Sequence, residues 1–398
     1  MEEMFKNREI WITGLGIVSS IGRNLDECLY SLRNDLTGIE NIQFLETVHK
    51  NNYVAGEVKL CNNEILSITG IEEDLPRTTL LAVMAVNEAI KSARLTIHDS
   101  KTGIILGTTV GGMDKTERLY SMGTDPAEFI KSHHCGFTTN YLANYFGVKD
   151  YINTISTACS SGANAIMLGA KLIQHGILDV VIAGGSDALS VFTLNGFRSL
   201  MILDPSPCRP FSADRKGLNL GEGAGFVILE SKEHAVNRNV NAYCRVSGYG
   251  NSNDAFHQTA SSCDGRGAFK AMGEAIANAG ISVKDIDYIN VHGTGTDNND
   301  LTEGIAMKRL FIQNVPSFSS TKAFTGHCLG AAGAIEAVFS AVAIQSNEVY
   351  ANLRFNAPIE DVGLIPVRTF TKKNIKHVLS NSFGFGGCDT SLVFSVIN

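Results

Sequence analysis

The sequence predicts an α/β protein made of two similar βα-rich halves, residues 1–240 and 241–398, with helices buried between sheets. Three observations carry this. The strand-like run Glu9-Ile10-Trp11-Ile12-Thr13, ending in Gly14-Leu15-Gly16, returns as Tyr243-Cys244-Arg245-Val246-Ser247 before Gly248-Tyr249-Gly250. A small-residue turn opens a helix at Thr157-Ala158-Cys159-Ser160-Ser161-Gly162, and again at Gly326-His327-Cys328-Leu329-Gly330-Ala331-Ala332-Gly333. Glycine is abundant at 39 residues and proline scarce at 8, which suits tight βα turns and close helix packing.

Taken in order, Glu9 to Gly16 reads as a strand closed by a glycine turn, and Asp26 to Leu32 as a helix. Asn34 to Leu66 is irregular. Thr78 to Ala93 is helical, with Leu81, Met84, Ala85 and Ala89 on one face. Gly103 to Gly112 is a buried strand with a glycine-rich exit, and Met113 to Phe146 an excursion of mixed helical signals. A β-branched run then leads into Cys159 and a helix from Asn164 to His175 that Gly176 closes. Asp179 to Ala183 is a strand before the turn Gly184-Gly185, and Gly221 to Glu230 a glycine turn into a strand. Glu233 to Arg238 is the polar joint between the halves. In the second half Gly267 to Ala279 is a helix, Tyr288 to Gly293 a strand ending on a histidine, and Phe324 to Ile344 a turn and apolar helix. The last strands, Val378 to Ser382 and Ser391 to Val396, are split by Phe383-Gly384-Phe385-Gly386-Gly387.

Composition narrows the class. Apolar residues make up 44% and charged residues 18%, as in a globular chain with a large core. A net charge of −7 opposes nonspecific nucleic-acid binding. No run of about 18 uncharged apolar residues is present, so no membrane span is expected. Met1 to Arg8 carries four charges and no signal-peptide pattern follows it. Nine cysteines without a C-x-x-C pair fit reduced thiols in a cytoplasm better than disulfides or a zinc site.

Cys159 carries the chemistry. Strand, sharp turn and helix place a side chain at a helix N-terminus, where unpaired N–H groups and the helix dipole favour a thiolate. The same pattern fits a buried structural cysteine beside a tight turn. His292, Lys322 with His327, and the closing Gly-Phe-Gly-Gly could meet it. A cysteine with two histidines suits thioester chemistry, the thiol attacking a carbonyl and neutral imidazoles donating to a developing oxyanion or enolate.

Taken together, Thr157-Ala158-Cys159-Ser160-Ser161-Gly162, Arg209-Pro210-Phe211, Gly221-Glu222-Gly223-Ala224-Gly225, His292-Gly293-Thr294-Gly295-Thr296, Ser319-Ser320-Thr321-Lys322, Gly326 to Gly333 and Asn381 to Gly387 resemble the β-ketoacyl-acyl-carrier-protein synthases, in family order and over nearly the whole chain. The resemblance is strongest to the type II elongating kind and implies a thiolase-like, layered α-β-α-β-α sandwich. It implies Cys159 as acylated nucleophile, and His292 and His327 as the pair that holds the malonyl thioester and stabilises its enolate. Lys322 would orient His327 and tune the site's charge, and Glu303 would join a buried polar network. Thr294 and Thr296 would bind the phosphopantetheine arm. The N–H groups of Cys159 and Phe385 would form the oxyanion hole, with Phe385 gating the acyl pocket. No metal or bound cofactor is needed. The expected partners are an acyl carrier protein, acyl and malonyl thioesters, and a second subunit, either an identical copy or a paralogue.

Several positions depart from the family pattern. Asp150-Tyr151 replaces Gly-Pro before the Cys159 strand, Arg215-Lys216-Gly217-Leu218-Asn219 replaces Arg-Asp-Gly-Phe-Val, and Asp389 stands where asparagine is usual. Glu72-Glu73-Asp74 lies where relatives often carry basic residues, so Arg77, Arg209 or Lys216 is expected to make the carrier-docking patch. A fatty-acid synthase, the active half of a polyketide or aryl-polyene heterodimer, a noncatalytic chain-length partner and a degradative thiolase with Cys388 as second cysteine are the readings to separate.

Overall fold

A computed structural model describes residues 8–312 and 314–397; the Met1 to Arg8 reading therefore lies outside the described residues but for Arg8. Ten strands make up the main sheet system: β1 (Ile10–Ser19), β2 (Thr102–Gly107), β3 (Tyr151–Ile155), β4 (Val180–Asp187), β5 (Gly223–Ser231), β6 (Cys244–Asn253), β7 (Tyr288–Asn290), β8 (Ser317–Ser319), β9 (His377–Gly384) and β10 (Cys388–Ser395). Their lateral order is β8-β7-β9-β10-β6-β1-β5-β4-β2-β3. The first five strands and the last five repeat one plan. In each, the second strand lies parallel between the third and fourth, and the fifth joins the fourth to the first antiparallel. Among the described residues, the strand pairing between the two sets is Ile10↔Val246, Trp11↔Arg245 and Ile12↔Cys244.

Helices complete five layers. α1 (Arg77–Ala93) covers β1 and β5 from outside. α2 (Ser161–Gln174) and α6 (Ala332–Ser346) lie between the two sets of strands. α4 (Arg266–Asn278) and α5 (Asp297–Phe311) form the opposite outer layer, and α3 (Val191–Ser199) flanks the site. α6 is buried from Ala332 to Ile344. The stretch Leu329–Ser346 is the one helix, among the described residues, long and apolar enough to cross a membrane, and it is 89% buried inside the fold.

The glycines read as turns after the first strand of each half are inside strands. β1 runs on to Ser19 and β6 to Asn253. A Cβ at Gly14 or Gly16 would lie 2.3 Å from the Ala89 carbonyl or 1.9 Å from that of Ala85, on α1. Gly248 and Gly250 meet Ala275 and Ala271 of α4 at 2.2 and 2.1 Å in the same way. Both halves thus press a helix backbone directly onto a strand, and only glycine leaves the room. Gly184 and Gly185 are likewise inside β4 rather than in a turn. The region read as irregular contains two short strands, Glu40–Asn41 and Val54–Ala55, and a helix, Asn62–Thr69. The excursion resolves into helices Met113–Ser121, Pro126–His133 and Gly136–Phe146.

Candidate active site

Equivalent ends of the two halves converge on one cavity of about 250 Å³. From the first half, β3 runs into a tight turn and α2. Ala158 takes a left-handed φ of 50°, a conformation costing a non-glycine residue about 1–2 kcal/mol. The turn is held by the Thr157 N–H donating to Ser161 Oγ at 2.9 Å and the Asn164 amide donating to Thr157 Oγ1 at 2.9 Å. It is pinned from the other half, because a Cβ on Gly162 would lie 2.8 Å from that of Ala334, and one on Gly333 would lie 3.0 Å from that of Ala163. Small residues at the start of both central helices therefore let the two halves' turns approach.

Cys159 is buried at the tip of this turn. Its own N–H and that of Phe385, the same two donors expected for an acyl oxygen, act on its sulfur to favour the thiolate. Burial nevertheless pushes the thiol up to about 11, against the pull of Lys322 and those N–H groups. The resting side chain is a thiol, so the helix N-terminus does not by itself supply a thiolate as the strand-turn-helix pattern suggested.

The second half brings the imidazoles. His292 follows β7, and Glu303 on α5 fixes its backbone by accepting from the N–H groups of His292 and Gly293, both at 2.9 Å; Asn381 Nδ2 donates to the same carboxyl at 3.0 Å. Glu303 lies inside α5 rather than at a helix start, and burial pushes it up to about 7. His327 lies on the turn before α6, its ring perpendicular to that of His292 with centroids 5.4 Å apart. Cys159 Sγ and one nitrogen of each ring lie within 4.8 Å of one another. His327 Nδ1 accepts from the Leu329 N–H at 3.0 Å, so the neutral ring carries its proton on Nε2. Burial, then the charge of Lys322, lowers His327 to about 3 and His292 well below the ordinary range, leaving both neutral donors.

Lys322 is buried and ion-paired with Glu336 on α6. It tunes the charge felt by Cys159 and both histidines, but the orientation of His327 comes from the Leu329 N–H instead. A sulfur and two imidazoles this close are also a donor set for a soft divalent cation; the Lys322 ammonium beside them opposes one. Thr294 and Thr296 line the cavity, their hydroxyls 2.9 Å apart. Phe385 lines it too, stacked on Phe197 of α3 with centroids 5.8 Å apart.

Two supporting carboxylates escaped the sequence reading. Glu336 had a signal: it is the single charge in an apolar helix. Asp187 had none. At the end of β4 it accepts from Thr108 Oγ1, Thr109 N–H and Oγ1, Val110 N–H and Gly330 N–H, tying the first half's loops to the turn that carries His327.

The expected docking residues separate. Arg77 is buried and bonded to Glu222, so it takes no part in a surface. Arg209 is forked between Asp204 at 2.9 Å and Asp214 at 3.1 Å, a brace for its loop. Lys216 is exposed and lines the cavity mouth near Met201, which is 89% exposed. Asp74, of the acidic run that lies where relatives often carry basic residues, is exposed and paired with Arg118 and Lys115. Cys388 lies outside the cavity wall, 3.6 Å from Asn253 Nδ2.

A duplicated five-layer fold with a thiol, two neutral imidazoles and convergent N–H groups at its join defines a condensing acyltransferase of thiolase-like architecture. Residues 7–235 match the profile of the β-ketoacyl synthase N-terminal domain and residues 243–356 that of the β-ketoacyl synthase C-terminal domain, and the chain belongs to this family. It is 34% identical, over 98% of its length and 99% of the relative's, to 3-oxoacyl-[acyl-carrier-protein] synthase 2 of Staphylococcus aureus strain N315. Among solved structures it resembles the ishigamide ketosynthase/chain length factor, with a TM-score of 0.92 and 29% identity over 98% of this chain and 100% of that one. It also resembles AntDE:AntF, a type II polyketide synthase acyl-carrier protein in complex with its ketosynthase bound to the hexaketide, with a TM-score of 0.89 and 26% identity over 98% and 100%.

Proposed function

We propose that the chain condenses a Cys159-bound acyl group with a malonyl group on an acyl carrier protein, giving the 3-oxoacyl product and carbon dioxide. The carrying observation is the convergence of Cys159 Sγ with two neutral imidazoles and two main-chain N–H groups. In the first step Cys159 attacks the acyl thioester; the N–H groups of Cys159 and Phe385 take the oxyanion, and the thiol proton leaves with the released carrier thiol. In the second, the malonyl carboxylate departs as carbon dioxide, and the enolate oxygen is held by His327 Nε2–H and by His292, whose Nδ1 has no hydrogen-bond partner among the described residues. The enolate carbon attacks the acyl-cysteine carbonyl, and the cysteine sulfur leaves and takes up one proton. Thr294 and Thr296 hold the pantetheine arm, burial together with Lys322 keeps both histidines neutral, and Glu303 positions His292. No bound metal or cofactor enters either step.

The carrier protein docks beside Lys216 and Met201 at the cavity mouth. β3 is an edge strand with Ile152 41% exposed, which supports pairing with a second copy or a paralogue. The solved relative named as a ketosynthase/chain length factor favours the paralogue, and with it a dedicated polyketide or polyene pathway. The presence of Cys159 opposes a noncatalytic partner, and the position of Cys388 opposes a thiolase. Nine free cysteines support the cytoplasm. We take the boundary between the halves at 240, in the segment between β5 and β6. The test is intact-mass analysis with acyl carrier substrate: one acyl group on the native chain and none on Cys159→Ala, with carbon dioxide release from malonyl carrier protein. An acyl group on the folded variant overturns the nucleophile.

A further inference from the structure

Asp389 is the departure from the family pattern that lies beside the site, and the chemistry above does not use it. It is buried in β10 opposite Phe383 of β9, just past the Phe385–Gly387 turn, and its other sheet neighbour is Ser252 of β6. Its carboxyl lies on the backbone of Gly267, in the first turn of α4. A methyl group there would be 2.1 Å from Asp389 Oδ2 and 2.8 Å from Asp254 Cβ, which puts those two atoms under about 5 Å apart. The Asp389 carboxyl and the Asp254 side chain therefore share the space over one glycine.

Asp254 belongs to the segment that latches the turn. Its N–H donates to the Gly387 carbonyl at 3.2 Å, and its carboxylate accepts from the N–H groups of Phe256 at 3.1 Å and Ser262 at 2.9 Å. Asn253 Nδ2 donates to the Gly386 carbonyl at 3.0 Å, and the Gly386 N–H to the Gln258 carbonyl at 2.8 Å. Gly387 packs so closely on Asp254 that a Cβ would stand 2.5 Å from Oδ1.

The charges that act on Asp389 are Asp254 from this segment and Glu303 from α5; Glu303 in turn faces Glu336 of α6, which is paired with Lys322. Arg266, at the start of α4, donates to the main-chain carbonyl of Asp254 at 3.4 Å. We propose that Asp389 is a positioning residue for the turn that carries Phe385: its carboxyl keeps one proton against Asp254, and loss of that proton loosens the latch. Burial and the charges of Asp254 and Glu303 push this carboxyl up to about 8, which places the change just above neutral pH. An asparagine there cannot ionise. The inference rests on the reading of Phe385 given above.

Hydrogen exchange on the full-length protein decides it, and does so whether or not the chain condenses. Protection of peptides spanning 253–262 and 383–388, corrected for intrinsic rate, should fall about tenfold or more between pH 7 and 9 in the native chain, relative to α6. Asp389→Asn should hold its protection constant over that range. A native chain with no change, or an Asn variant that changes equally, overturns the latch. The native chain alone supplies the first outcome, so a poorly folding variant does not block the test. Acylation of Cys159 followed over the same pH range should rise less steeply in the native chain than in Asp389→Asn; absence of acylation at every pH in both would instead remove the condensing reading.

Discussion

Replacing Asp187 measures how firmly the two contributions to the site are joined. Its carboxylate takes the Thr108 hydroxyl at 2.5 Å, the Thr109 N–H at 3.0 Å and hydroxyl at 2.7 Å, the Val110 N–H at 3.2 Å and the Gly330 N–H at 2.7 Å. Three of these donors are main-chain groups that cannot turn away. Asparagine keeps the shape and one acceptor. With Nδ2 in place of Oδ1, the Thr108 hydroxyl rotates to accept and the Val110 N–H is orphaned; the reverse flip sacrifices the shorter bond from Gly330. The cheaper arrangement costs about 2 kcal/mol, one unsatisfied buried donor plus weakened charge-assisted bonds. Alanine orphans all three N–H groups and costs about 4–5 kcal/mol. With an unfolding entropy of roughly 2.1 cal/mol/K per residue over 398 residues, Tm falls by about 2 °C for Asp187→Asn and about 5 °C for Asp187→Ala. Gly330 adjoins Leu329, whose N–H sets the His327 ring, so decarboxylation of malonyl carrier protein should drop about tenfold in Asp187→Asn, some 1.4 kcal/mol of barrier. Acylation of Cys159, measured by intact mass, should drop less. A change under 1 °C in the alanine variant, or equal losses in the two steps, would refute the argument.

With the Cys159 thiol at about 11, iodoacetamide alkylation should climb about tenfold per pH unit from pH 7 to 9, and a plateau near pH 8 would show an activated thiolate instead. Either His292→Ala or His327→Ala should slow carbon dioxide loss roughly a hundredfold and acylation less; matched losses would mean misfolding. Arg209→Glu sets a third carboxylate against Asp204 and Asp214, so carrier-bound and pantetheine substrates should suffer alike and Tm should fall. Lys216→Glu should raise KM for the carrier-bound substrate alone; if Arg209→Glu does so with stability intact, Arg209 returns to the docking surface.

Much of the fold was legible because hydrophobic period and glycine position are local signals. The helices at Thr78, Cys159 and Gly267 were placed to within a few residues, and the Cys159, His292 and His327 turns were found by motif. The misreadings share one cause. Gly14, Gly16, Gly184, Gly248 and Gly250 look like turn residues along the chain, but helices or neighbouring strands press on them across the fold, and such contacts leave no trace in spacing. The same holds for electrostatics. That Cys159 sits at a helix start is readable from sequence; that burial outweighs the helix is not. Arg209 in an Arg-Pro-Phe motif looks like a docking residue until Asp204 and Asp214 are seen to clasp it.

The shared strand plan of the two halves has a consequence for how such a site can arise. Cys159 follows the third strand of the first set and His327 the third strand of the second, so nucleophile and oxyanion donor occupy equivalent places. Two separate identical copies of one half could not achieve this, since symmetry would put the same side chain at both places. Covalent linkage breaks that symmetry, letting one copy keep a thiol while the other acquires the imidazole it faces.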